Sequence, residues 1–178
     1  MNQNVVIIID AGSGVCKARV TSHANPQLIL DTVVGYEFRN NVTGIPKKRY
    51  FDNEEYKSFM IGLSYPIVRD IINDFNRMEE ILTYIFEKLS VKQEESIILL
   101  TESLFNPKEK REKITEIIFE KFNASGFYLS NDAVLALLAT GRSTGVVLQS
   151  DYSITHSVTV DEGTHVKIFA VVSSFQAA

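Results

Sequence analysis

Val5-Val6-Ile7-Ile8-Ile9 is a short, unbroken, β-branched run, the pattern of a strand buried on both faces, and it ends in the turn-rich stretch Asp10-Ala11-Gly12-Ser13-Gly14. Residues 15–21 alternate imperfectly, Asn25-Pro26 marks a turn, and residues 27–34 form a third apolar run, so the chain opens on a three-strand antiparallel meander. Over residues 36–64 the periodicity fades into mixed charge and aromatic residues, with Gly44, Pro46 and Gly62 as breakers, which predicts a small peripheral insertion at 36–62. From Asn73 the period becomes 3.6, and Phe75, Met78, Ile81, Leu82, Ile85, Phe86 and Leu89 make one apolar stripe over four turns, a core-facing helix. Residues 96–101 carry the strand Ile97-Ile98-Leu99-Leu100. Asn106-Pro107 then reads as an N-cap with proline at the first helical position, opening a helix through Phe122 whose inner face is Ile114, Ile117, Ile118 and Phe122. A short strand at 127–129 follows Ser125-Gly126, and Asp132 starts the apolar helix 133–140, which Gly141 closes. Three more strand-like runs, 146–148, 154–160 and 166–172, form a second meander. The order predicts an α/β chain: a first domain over 1–144, with a mixed sheet and flanking helices, and the start of a second over 145–178.

Composition narrows the function classes. The 178 residues are 45% hydrophobic, enough to bury a core. Net charge is −4, and no basic cluster exceeds Lys47-Lys48-Arg49, so nothing marks a footprint for nucleic acid or an anionic membrane; a protein partner is expected instead. The single cysteine, Cys16, rules out an internal disulfide and any multi-cysteine metal site, and fits a reducing compartment. The N-terminus runs straight into a strand and no run approaches ~20 apolar residues, so neither secretion nor a membrane span is expected.

Asp10-Ala11-Gly12-Ser13-Gly14-Val15-Cys16-Lys17 resembles the first phosphate loop of actin and actin-related proteins. Tyr65-Pro66-Ile67, Leu99-Leu100-Thr101-Glu102, Asn106-Pro107-Lys108, Arg111-Glu112-Lys113 and Ala139-Thr140-Gly141-Arg142-Ser143-Thr144-Gly145 resemble actin segments in the same order and at nearly the same spacing. The resemblance covers roughly residues 4–163, with a shortened, dissimilar insertion at 36–62. It implies the first half of an actin-like ATPase fold of the ribonuclease H-like kind, plus the opening strands of the second half. It also implies Mg-ATP or Mg-ADP as cofactor and Asp10, Gly12, Ser13, Gly14, Val15, Lys17 and Ser150 as nucleotide-binding positions. Lys17 would lie near the β-phosphate, and Asp10 would face the cation through its water shell. The chemistry is compatible, since a glycine-rich hairpin lets backbone N–H groups converge on phosphate oxygens and Ser13 adds a hydroxyl donor. An isolated Gly-x-Gly, by contrast, more often merely shapes a hairpin.

The family pattern then fails. Actin's second phosphate loop reads Asp-Ser-Gly-Asp-Gly, and the matching stretch here is Gln149-Ser150-Asp151-Tyr152-Ser153. Both glycines are replaced, Asp151 brings a charge that repels phosphate, and Tyr152 adds bulk, so nucleotide binding is expected to be weak or lost. Asp132 stands where the resemblance puts a water-orienting glutamine. It reads either as a general base or as an N-cap favoured by the helix dipole, and the cap is the better reading beside a damaged loop. His156 reads as packed rather than catalytic, Cys16 as a buried apolar residue, and Glu102 with Arg111 as a structural ion pair.

The expected function is therefore an actin-like structural or adaptor subunit of a cytoskeletal or ciliary assembly, in the cytoplasm and its cytoskeleton, with the cilium and axoneme as the narrower case. The alternative is an ATPase or phosphotransferase of the same superfamily, completed by a partner chain, with Asp132 as its catalytic candidate. A monomeric binding module is disfavoured by exposed sheet edges. One half of a two-half fold implies protein partners that cover the bare sheet and the missing half, in an obligate complex: a second polypeptide, a copy of this chain or an unrelated cytoskeletal protein. An uncovered apolar patch is expected beside the helices at 75–89 and 108–122. A natural half-length chain and a piece of a longer one both fit the sequence.

Overall fold

Ile7 and Ile9 are wholly buried while the alternating Val6 and Ile8 are only partly so, and this two-residue alternation sets the architecture of the first sheet. The computed structural model describes residues 5–37, 47–50, 62–152 and 154–171. Most of the insertion, Ser153 of the second loop, and the tail from 172 lie outside the described residues. The opening strands are β1 (Val5–Ala11), β2 (Val15–Val20) and β3 (Leu28–Asp31), paired antiparallel as a meander. The third run, expected over 27–34, stops at Asp31. Thr32 turns back to the first loop, its N–H donating to the Gly14 carbonyl at 3.0 Å and its hydroxyl to the Gly12 carbonyl at 2.7 Å, and this ends the pairing with β2. The chain leaves into β4 (Val34–Glu37), which lies between β5 (Lys47–Tyr50) and β6 (Gly62–Ser64) in a small separate sheet.

A two-residue hairpin joins β7 (Ile67–Val68) to β8 (Ile71–Ile72). Asp74 then caps α1 (Phe75–Leu89) by accepting from the Arg77 N–H, and the stripe read from the sequence buries Met78, Ile81, Leu82, Ile85 and Phe86. β9 (Ser96–Glu102) pairs parallel with β1. α2 (Lys108–Glu116) begins one residue later than expected: Pro107, not Asn106, holds the cap position, without a side-chain cap bond. The Asn106 amide is drawn instead to the Glu102 carboxylate, donating to it at 3.1 Å. α2 runs on into one π turn, Ile117–Lys121, which buries Ile117 and Ile118. β10 (Gly126–Asn131) pairs parallel with β9, completing a five-stranded mixed sheet in the order β10-β9-β1-β2-β3. At α3 (Asp132–Ala139) the cap is Asn131, which accepts from the Ala133 and Val134 N–H groups; the expected cap, Asp132, is the first helical residue.

The second meander comprises β11 (Gly145–Ser150), β12 (Thr155–Asp161) and β13 (Thr164–Val171), antiparallel and in a sheet of its own. The main core lies between one face of the five-stranded sheet and the two helices α1 and α2, with Phe86 edge-on to Phe122 at 5.1 Å. A second cluster packs Ala133, Val134 and Leu137 of α3 against Val158 and Val160 of β12. Phe119, on the π turn that continues α2, is exposed, and further incompletely covered apolar positions lie away from the helices. By strand alternation Val6, Ile8, Ile97, Leu99 and the exposed Tyr128 share the opposite face of the sheet. No helix of the described residues is long and apolar enough to cross a membrane.

Candidate functional site

The β1–β2 hairpin brings Asp10 and Lys17 opposite each other across the strands, with Gly12-Ser13-Gly14 as the loop between them. The Lys17 ammonium lies 3.6 Å from one Asp10 carboxylate oxygen, and the other oxygen accepts from the Thr101 hydroxyl at 3.0 Å. Thr101 in turn accepts from the Ala11 N–H at 3.0 Å, tying the end of β9 to the loop. The glycines are needed for space: a Cβ at Gly12 would stand 3.0 Å from the Val15 carbonyl oxygen, and one at Gly14 would stand 2.9 Å from the Tyr152 ring. Cys16 is fully buried behind the loop. Burial, with the Asp10 charge adding and Lys17 opposing, pushes its thiol up to about 12, so no thiolate nucleophile is available.

The loop faces a cleft of about 210 Å³, below the ~300–1,000 Å³ of ordinary small-molecule sites. Among the described residues five carboxylates line it, Asp10, Asp70, Glu102, Asp132 and Asp151, against one ammonium, Lys17. Asp70 reaches in from the β7–β8 turn. Its Oδ1 accepts from both the hydroxyl of Ser13, at 2.6 Å, and the Ser13 N–H, at 3.2 Å, and its own N–H donates back to the Ser13 hydroxyl at 2.7 Å. No feature of the sequence reading singled out Asp70. The only local sign is its place in a two-residue turn between Ile67-Val68 and Ile71-Ile72, and Ser13 is 57 residues away.

Asp132 also faces the cleft. One carboxylate oxygen accepts from the Ala133 N–H at 2.7 Å and the other from the Gln149 amide at 2.9 Å; the same amide nitrogen donates to Asp151 at 2.7 Å. Burial raises the Asp132 pKa above the usual carboxylate range; the Ala133 N–H, Gln149 and His156 oppose the rise, and Asp151 adds to it. His156 is buried edge-on to Phe105, 6.1 Å between centroids, and neither ring nitrogen has a hydrogen-bond partner among the described residues. Val15 lies at the rim of the cleft and Tyr152 across the loop. Ser150, expected as a phosphate ligand, is not among the lining residues. The pleat of β11 turns Gln149 inward and Ser150 outward with Val146 and Leu148, and the Ser150 hydroxyl pairs with that of Thr155 at 2.9 Å. The Glu102–Arg111 ion pair is present, Oε2 to Nε at 3.0 Å.

A family model described as Actin matches residues 1–176. The chain belongs to the actin family. The match runs past Gly163, where the motif-by-motif resemblance ends, and takes in all of the second meander. Its mixed sheet, flanking helices and second sheet are an actin-like half-domain with the strands that follow it. This actin-family member keeps the residues of the first loop but not their availability. The Ser13 donors are directed at Asp70, Lys17 is paired with Asp10, and Tyr152 covers Gly14. The residues present do not fit a magnesium-bound polyphosphate in this conformation, because the Ser13 donors are taken by Asp70 and the described lining of the cleft brings more carboxylates than ammonium groups to the phosphate. Among the described residues no group of three or more His, Cys, Asp or Glu is placed to hold a metal ion directly.

Proposed function

We propose that this actin-family chain is a structural or adaptor subunit of the cytoplasmic cytoskeleton, with nucleotide binding weak or lost, working through protein partners. The observation that carries the reading is the charge of the cleft, where the described residues bring five carboxylates and one lysine, itself paired with Asp10. Unit charges a few ångströms apart in a partly desolvated site are worth kilocalories, and here they oppose a polyphosphate. Partner binding is supported by the apolar surface of the second sheet and the loop after β11, where Val146, Leu148 and Tyr152 are all more than 60% exposed: 69, 75 and 67%. Titration calorimetry of the monodisperse chain with Mg-ATP tests the reading. No heat is expected, and a Kd tighter than ~10 μM, about −7 kcal/mol, would overturn it.

Asp132 favours a second reading, an ATPase or phosphotransferase completed by a partner chain. A carboxylate whose pKa is raised by burial in a cleft has the character of a general base. Comparison of wild type with Asp132→Asn separates the two. Turnover in the wild type that the variant loses would favour the enzyme, and background rates in both would favour the structural subunit.

A further inference from the structure

Two donors of the glycine loop, the N–H and the hydroxyl of Ser13, converge on one oxygen, and that oxygen belongs to the protein itself. Backbone N–H groups in such a loop recognise an anionic oxygen by charge and geometry, and a carboxylate oxygen satisfies them as a phosphate oxygen does. We infer that Asp70 is a built-in occupant of the first loop, held where an oxyanion would bind, and that removing its carboxylate opens the loop to a small phosphate anion. The inference rests on the reading of the cleft as poor in nucleotide and gives that property a residue.

The arrangement carries costs that an incidental surface contact would not sustain. Arg69 and Asp70 have φ of 53° and 57°, the left-handed region that a two-residue type I′ hairpin needs and that glycine or asparagine fills more easily. The second carboxylate oxygen, Oδ2, is buried with no hydrogen-bond partner among the described residues, which is unfavourable for an anion. Three hydrogen bonds to Ser13, which is itself buried, hold the turn in place against these terms. Gly12 and Gly14 meanwhile keep the close backbone geometry of an anion loop: a Cβ at either would come within 3.0 Å of a neighbouring atom.

The test uses the full chain, pyrophosphate as probe, calorimetry for affinity and the ¹⁵N-resolved Ser13 amide signal for location. Asp70→Gly removes the carboxylate and suits the positive φ, so its fold is expected to survive. Pyrophosphate should shift the Ser13 amide in Asp70→Gly and leave it in place in the wild type, with an affinity gain of at least ~10-fold. A folded Asp70→Gly with no gain, or a wild type that binds pyrophosphate at Ser13 equally well, would overturn the inference. Asp70→Asn keeps the shape and tolerates the turn while losing the charge. Should the glycine variant not fold, a gain in the asparagine variant supports the inference and its absence overturns it. Tight Mg-ATP binding by the wild type would sink the broader reading of the cleft. Failure of the Asp70 variants to gain pyrophosphate sinks only the assignment to Asp70.

Discussion

Removing the Arg111 guanidinium should destabilise the protein more than removing the charge of its partner. The Glu102 side chain is only 11% exposed at the end of β9, whereas that of Arg111 is 51% exposed on α2. Glu102 Oε2 receives both the Arg111 Nε at 3.0 Å and the Asn106 amide at 3.1 Å. Arg111→Ala leaves the nearly buried carboxylate with the neutral donor alone. Breaking a fully buried pair costs ~3–5 kcal/mol and an exposed one ~0.2–1, and a single orphaned buried acceptor costs ~1–3. With one partner half in water, the expected loss is ~1–2 kcal/mol. Glu102→Gln keeps an acceptor for Asn106 and lets Arg111 turn to solvent, so it should cost about half as much. The double variant should be no worse than Arg111→Ala alone, a coupling of about 1 kcal/mol. Urea unfolding of the four proteins with linear extrapolation gives the cycle, and repeating it in ~1 M salt should change the coupling little, because a nearly buried group is poorly screened. Arg111→Ala within ~0.3 kcal/mol of wild type and no coupling would refute the argument and make this an ordinary surface pair.

Phe86→Ala removes a fully buried ring packed edge-on to Phe122 and should cost ~3–5 kcal/mol in the same unfolding assay, against under ~1.5 for Phe119→Ala, whose ring is 42% exposed. Burial lifts the Asp132 pKa, so the native state binds that proton more tightly than the unfolded chain, and the stability this adds at low pH is lost as pH rises from the ordinary carboxylate value through the raised one. Asp132→Asn should therefore gain on the wild type as pH rises from the ordinary carboxylate range through the raised pKa, and an offset that does not change with pH would contradict the assignment. Cys16, with its thiol pushed up to about 12 and no exposure, should resist iodoacetamide in native buffer and label only through the urea transition. Labelling at the rate of a free thiol would contradict its burial.

Elements with a strong local period were readable from the chain, since the α1 stripe and the β-branched run of β1 each follow from spacing alone. Boundaries set by distant partners were not. The third strand stops at Asp31 because Thr32 bonds across to Gly12 and Gly14, and Asn106 gives up the cap of α2 to reach Glu102. The α3 cap fell one residue early, on Asn131, where two adjacent residue types both favoured that role and only the backbone could choose between them. In the site, motif similarity brought Ser150 forward and passed over Gln149, yet strand alternation puts the glutamine in the cleft and the serine outside it. Asp70 was invisible for a deeper reason: its significance lies in a contact with Ser13, and neither the composition nor the period of its own segment encodes that partner.

The contact between Ser13 and Asp70 also bears on time and concentration. A dissolved ligand occupies a site in proportion to its abundance and leaves at a rate of its own, whereas a group tethered to the same chain acts at an effective concentration set by the fold, commonly millimolar or more. In the proposed arrangement a loop closed by its own side chain follows the level of a metabolite less than an open loop does, because any ligand must first compete with the tethered group. Where an exchangeable nucleotide would give the surrounding strands a succession of chemical states to report, an aspartate fixed by two hydrogen bonds to its carboxylate and one from its backbone N–H gives them one.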